Sequence, residues 1–198
     1  MCGIIGRFHR DGNSRPIQET DLDRMQHRGP DSRGLFQDNF AALGHTRLSI
    51  LDLSSQGHQP MTSRDGRYTL VLNGEIYNFI ELRQALESAG HIFSSRTDTE
   101  VVLAAYVQWG VDCLTRFRGM FAFALWDSRR QALFLARDRC GEKPLVYHRD
   151  RKAFCFSSEM RALVPMLEQV PAISPAGVDL YMHYQYAVSY THLTLPTN

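Results

Sequence analysis

Residues 119–159 read GMFAFALWDSRRQALFLARDRCGEKPLVYHRDRKAFCFSSE, and the folding of this stretch decides the architecture. Four short runs, 119–127, 132–138, 144–148 and 153–159, are rich in aliphatic and aromatic residues and are separated by gaps full of turn formers. That is the pattern of an antiparallel meander. In the first two runs the apolar character is nearly continuous, so both of their faces should be covered. Helices that cover antiparallel strands make a layered α+β domain.

The residues upstream supply those helices. Asn78, with Glu81 three residues on, opens a helix that carries Leu82, Ala85 and Leu86 on one face and stops at Gly90. A second helix is expected from about residue 98 to Trp109, ended by Gly110. A short third one starts at the T-D-L-D of 20–23, and Ser174-Pro175 caps a last helix running through Tyr181. Further strands are expected at 2–9, 33–37 and 40–50. The run RYTLVLNGEIYN (67–78) reads as a strand ending on Asn73-Gly74, a dipeptide that signals a turn of positive φ.

With 198 residues the length fits one domain, and 22 Lys+Arg against 21 Asp+Glu give no basic stripe for nucleic acid or an anionic membrane surface. There is no signal-peptide pattern at the start and no apolar run long enough to span a bilayer, so the expected location is cytoplasmic. The four cysteines, Cys2, Cys113, Cys140 and Cys155, form no CxxC pair and no Cys/His cluster of zinc-ligand spacing, which argues against a metal or disulfide scaffold. Cys113, Cys140 and Cys155 read as small buried hydrophobes, and Glu142 and Lys143 as a solvated turn.

Cys2 reads differently, because it opens the run MCGIIGRF. With Met1 removed, a thiol and a free amine would share one residue, giving a nucleophile with its own base. Such an amine has a reference pKa of about 7.7–8.0 and suits proton transfer near neutral pH. Four more motifs follow in order: HRGPDS (27–32), HTRLSILD (45–52), NGEIYN (73–78) and RTDTE (96–100). Together they resemble the class II glutamine amidotransferases, whose glutaminase domain is an N-terminal nucleophile hydrolase. FRGMFAFALWD and ARDRCGEKPLVY make the chain most similar to the amino-terminal half of glutamine-hydrolysing asparagine synthetases. The resemblance covers 2–186. The tail 187–198 ends in SYTHLTLPTN, resembles translated adapter sequence and is set apart as non-native.

The resemblance implies a layered sandwich of antiparallel sheets flanked by helices, with Cys2 attacking the side-chain carboxamide of L-glutamine. It implies that the Asn73 side chain and the Gly74 N–H stabilise the oxyanion. Arg47 would take the substrate carboxylate and Asp98 and Glu75 its ammonium, while the backbone of Leu48, Ser49, Ile50 and Leu51 lines the pocket. A guanidinium fork matches a carboxylate better than lysine does. No cofactor or metal is implied for this domain. ATP and magnesium belong to a C-terminal synthetase domain, normally in the same chain, whose phosphate-binding loop this sequence lacks. His27 and Arg28 read as a structural loop beside the nucleophile. The oligomeric state stays open, a homodimer included. Three other readings remain at this point: an amidotransferase with another acceptor, a peptidase or acylase of the same mechanism, and a non-catalytic module in which Cys2 is inert.

Overall fold

The computed structural model describes residues 1–12, 15–49 and 54–185. The expected tail 187–198, and Ile50 and Leu51, lie outside the described residues. Two antiparallel sheets form the centre. One has the order β2-β3-β1-β9-β8, from β1 (Gly3–His9), β2 (Ser32–Gln37), β3 (Ala41–Arg47), β8 (Val146–Arg149) and β9 (Ala153–Ser157). The other has the order β4-β5-β6-β7, from β4 (Met61–Thr62), β5 (Tyr68–Ile76), β6 (Gly119–Asp127) and β7 (Ala132–Arg137). The expected single meander is thus corrected: β6 and β7 pair in one sheet, β8 and β9 in the other, and the turn after Arg137 carries the chain across.

Strand parity then sorts the side chains into three cores. Ile4, Leu43, Val71, Ala122, Ala124, Trp126 and Phe156 fill the space between the sheets. The opposite parity of β5 and β6, Leu70, Leu72, Phe121, Phe123 and Leu125, packs outward against α2 (Phe79–Ser88) and α3 (Asp98–Trp109). On the far side Ile5 and Ala42 meet α1 (Glu19–Asp23) and α4 (Met160–Leu163) through Leu22, Ala162 and Leu163. The result is a helix–sheet–sheet–helix sandwich, with α5 (Pro175–Tyr184) beyond it. Among the described residues, no helix is long and apolar enough to cross a membrane.

The helix signals have direct counterparts. Thr97 Oγ1 accepts the Glu100 N–H and caps α3, which ends at Gly110 with φ +58°. Ser174 Oγ accepts the Gly177 N–H and caps α5. Asn78 does not cap α2 with its side chain; its amide donates to the Arg116 carbonyl and accepts the Arg118 N–H, tying α2 to the approach of β6.

The expected turn at Asn73-Gly74 is also corrected. Both residues sit inside β5, paired with Ala122 and Phe121. Glycine is needed there for closeness rather than for a turn, because a Cβ on Gly74 would fall 2.3 Å from the Met120 carbonyl oxygen.

Candidate active site

The parity that builds the inter-sheet core also builds a cavity at its end. Arg47 continues the Ala41, Leu43, His45 face of β3, and Asn73 and Glu75 continue the Val71 face of β5. Gly3 pairs with Thr46, which sets Cys2 beside Arg47. A cavity of about 290 Å³ is lined by Cys2, Arg47, Leu48, Asn73, Gly74, Glu75 and Asp98, together with Met1, Gln59, Leu72, Thr97, Met120 and Lys143. Seven residues singled out by sequence therefore line one cavity. Ser49 is not among the lining residues; its N–H is bound by the Asp31 carboxylate at 2.7 Å.

Cys2 is held on both sides. Its thiol donates to the Leu48 carbonyl at 3.7 Å, and its sulfur accepts the Leu48 N–H at 3.4 Å. The Arg28 Nε donates to the Cys2 carbonyl at 3.0 Å, and Arg28 is fixed in turn by Glu159 at 3.1 Å. Glu159 also binds His27 at 2.8 Å and Arg161 at 2.7 Å, so it gathers three side chains beside Cys2. The HRGPDS segment buttresses the end of β3 as well. Asp31 N–H donates to the Arg47 carbonyl, and Gly29 lies so close to β3 that a Cβ would fall 2.3 Å from the Thr46 carbonyl carbon.

One polar group at this cavity is left without partners among the described residues. Asn73 is 1 % exposed, yet neither its amide nitrogen nor its oxygen has a hydrogen-bond partner among the described residues. A buried amide left unpaired costs about 1–3 kcal/mol, so this one is poised for a guest. Asp98 accepts the Ile76 N–H at 2.9 Å. Burial pushes its carboxyl up to about 6, the charge of Glu75 adds to that, and the Ile76 and Thr99 N–H groups oppose it. Burial also raises the Cys2 thiol above its ordinary value, with the Leu48 N–H, the amino terminus and Arg47 pulling it back and Asp98 adding to the rise. Arg47 donates to the Ser54 carbonyl at 3.0 Å.

Two sequence expectations fail here for one reason. Asp138 accepts N–H groups from Phe121, Cys140, Glu142 and Lys143. Wrapping the chain around that carboxylate turns Cys140 out to solvent and Lys143 inward, so Cys140 is exposed and Lys143 is 4 % exposed. The turn residues Gly141 and Pro144 give no local hint of which neighbour points in. Gln59 was missed too; it ties β5 to the first turn of α3 by accepting the Leu72 N–H at 2.6 Å and donating to Thr99 Oγ1 at 3.2 Å. Among the described residues no cluster of His, Cys, Asp and Glu could hold a metal ion.

Comparison with known proteins gives consistent results. The model of the glutamine amidotransferase domain family matches residues 1–195. The chain is 41 % identical over 171 residues to glutamine-hydrolysing asparagine synthetase 3 of Bacillus subtilis, covering 83 % of this chain and 27 % of that protein. It is 37 % identical over 196 residues to asparagine synthetase B of Escherichia coli, covering 97 % of this chain and 35 % of that protein. The chain thus spans about a third or less of these relatives. The solved glutamine phosphoribosylpyrophosphate amidotransferase of B. subtilis, in complex with ADP and GMP, superposes with a TM-score of 0.68 at 24 % identity, over 81 % of this chain and 42 % of that one. That likeness carries the fold alone, a layered sandwich of antiparallel sheets.

Proposed function

This chain belongs to the glutamine amidotransferase domain family, and from that premise we propose that it hydrolyses L-glutamine to glutamate and ammonia through a thioester on Cys2. The observation that carries the reading is the unpartnered, buried Asn73 amide on the same cavity wall as the Cys2 sulfur. Removal of Met1 frees the Cys2 α-amine. The thiol, raised by burial, needs such a base, since little thiolate exists near neutral pH.

The steps balance as follows. Cys2 Sγ bonds to the side-chain carbonyl carbon while its proton passes to the α-amine. Negative charge gathers on the carbonyl oxygen, where the Asn73 amide and the Gly74 N–H donate to it. The amine returns the proton to the leaving nitrogen, the C–N bond breaks and ammonia departs. Water then adds, the C–S bond breaks, and glutamate leaves. Arg47 takes the substrate's α-carboxylate, and Asp98 with Glu75 its α-ammonium, which selects a free amino acid over a peptide-bound one.

The relatives' names favour aspartate as the ammonia acceptor. Its ATP- and magnesium-dependent activation is assigned to a synthetase part outside this chain, and the location to the cytoplasm.

Reaction with a diazoketone analogue of glutamine, followed by peptide mass mapping, tests the reading. The expected adduct is on Cys2 of a protein whose intact mass lacks Met1. Labelling elsewhere, or undiminished glutaminase activity in Cys2→Ala, overturns it. Free glutamine should be turned over far faster than N-acylated glutamine, and equal turnover would remove the roles given to Arg47 and Asp98.

A further inference from the structure

Lys143 is a buried cation without a counter-ion among the described residues. The turn that delivers it is fixed from several sides: Asp138 gathers its backbone N–H groups, and the Arg137 guanidinium donates to the Lys143 carbonyl at 2.6 Å and the Gly141 carbonyl at 2.5 Å. Gly141 supplies the left-handed φ of +67° that the reversal requires. Lys143 ends up lining the same cavity as Cys2, while Glu142 beside it is exposed. Among the described residues the ammonium forms no ion pair, and its hydrogen-bond partner is the Met1 thioether, at 3.1 Å. A thioether is a weak acceptor, and buried charges are normally paired. Once Met1 leaves, that ammonium is a cation facing the cavity next to the new amino terminus.

Resting on the glutaminase reading above, we propose that Lys143 is a positioning residue of this site, its ammonium being the fixed positive charge that keeps the terminal nitrogen of mature Cys2 a free base able to take the thiol proton, and that stabilises the negative charge on the sulfur as that proton leaves. The other charged groups around Cys2 are Arg47 on β3, Glu75 on β5, Asp98 at the start of α3, and Arg28 at its carbonyl. His45, on the same face of β3, is neutral, since burial presses its pKa down to about 3. Substrate binding would engage Arg47 through the carboxylate and Asp98 and Glu75 through the ammonium. Arg28 is neutralised by Glu159, whereas Lys143 has neither a substrate charge assigned to it nor a carboxylate partner among the described residues, and it lines the same cavity as Cys2.

The test measures carboxamidomethylation of Cys2 by iodoacetamide against pH in the mature protein, by peptide mass spectrometry, for wild type, Lys143→Met and Lys143→Arg. The expected result for Lys143→Met is a profile moved to higher pH by about one unit, hence about tenfold slower labelling near neutral pH. Lys143→Arg, which keeps the charge, should restore the wild-type profile, and the acid limb of kcat/KM for glutamine should move in parallel with the labelling. If Lys143→Met does not fold, Lys143→Gln serves as the neutral variant. Superimposable profiles for wild type and neutral variant overturn the proposal, as does a wild-type protein that retains Met1. A shifted labelling profile in a protein that does not hydrolyse glutamine would overturn the glutaminase reading while leaving the charge role of Lys143 in place.

Discussion

Two cavities among the described residues stand in contrast, and the larger of the two is the quieter. The cavity beside α3, about 400 Å³, is lined by Ile92, Phe93, Ser94, Glu100, Leu103 and Val107 among others. Its two carboxylates are both satisfied: Glu100 accepts the N–H and hydroxyl groups of both Ser94 and Ser95 at 2.7–3.1 Å, and Asp65 accepts the Ser63 hydroxyl and the Arg67 N–H. Burial works against the Glu100 charge, but the serine donors outweigh it and hold the carboxyl below its ordinary value. The cavity between the sheets, about 290 Å³, holds an amide with no partner, a carboxyl raised to about 6 and an ammonium resting on a thioether. Unsatisfied polarity, rather than room, marks the place where chemistry is expected.

The sharpest way to break this contrast is to delete the orphaned amide. Asn73→Ala should lower kcat roughly 10²–10³-fold, as removal of an oxyanion donor does, with KM little changed. Steady-state ammonia release measures both constants, and a loss confined to KM would move Asn73 from the oxyanion to ground-state binding.

Asp98 comes next, acting on binding. Asp98→Asn keeps an acceptor for the Ile76 N–H but loses the charge, and KM for glutamine should rise about 10–100-fold, the range of one charged hydrogen bond. The wild-type pH dependence has a definite sign. Because the folded carboxyl titrates at about 6, lowering the pH through that value neutralises it and removes the partner proposed for the substrate ammonium. KM should therefore climb below about pH 6 in the wild type and stay flat in the asparagine variant.

His45 carries the same contrast into stability. It is fully buried between the sheets, its Nε2 is 3.2 Å from the Leu72 carbonyl and its Nδ1 has no partner among the described residues. Burial presses its pKa to about 3, whereas an unfolded histidine titrates near 6.5. Between those values the unfolded chain binds the extra proton, so stability falls as the pH drops. At pH 5 the loss amounts to about 2 kcal/mol. His45→Gln can still donate to Leu72 but does not titrate, and urea unfolding at pH 7 and pH 5 should show a smaller difference for it than for the wild type.

How much of this was legible in the sequence depends on how local each signal is. The ends of α3 could be read because Thr97 and Gly110 carry the capping chemistry within the segment. The strand runs of 119–159 could be read from their apolar pattern, but their division between two sheets could not, because it is decided by a carboxylate, Asp138, that binds N–H groups on a neighbouring strand and in its own turn. Asn73-Gly74 misled for a related reason. As a dipeptide it favours a turn, yet the close approach of β6 at Met120 holds it in an extended strand. The chemical residues were visible as motifs. Lys143 and Gln59 were not, because only the packed fold brings them to the cavity wall.

The smallest expected effect completes the comparison from the other cavity. Glu100→Gln keeps the helix and the side-chain shape but replaces a carboxylate that receives Ser94 and Ser95 donors from one side with an amide that can accept at only one of its two termini. Some donors are then left bare or must turn to water, at a cost of about 1–2 kcal/mol for charge-assisted bonds at a partly exposed site. Because Glu100 touches the 94–95 turn and not the inter-sheet cavity, kcat and KM for glutamine should stay within about twofold of wild type while thermal stability falls. A kinetic effect of Glu100→Gln comparable to that of Asp98→Asn would mean that the first turn of α3 transmits strain to the ammonium-binding end, and the two cavities would then have to be treated as one coupled unit.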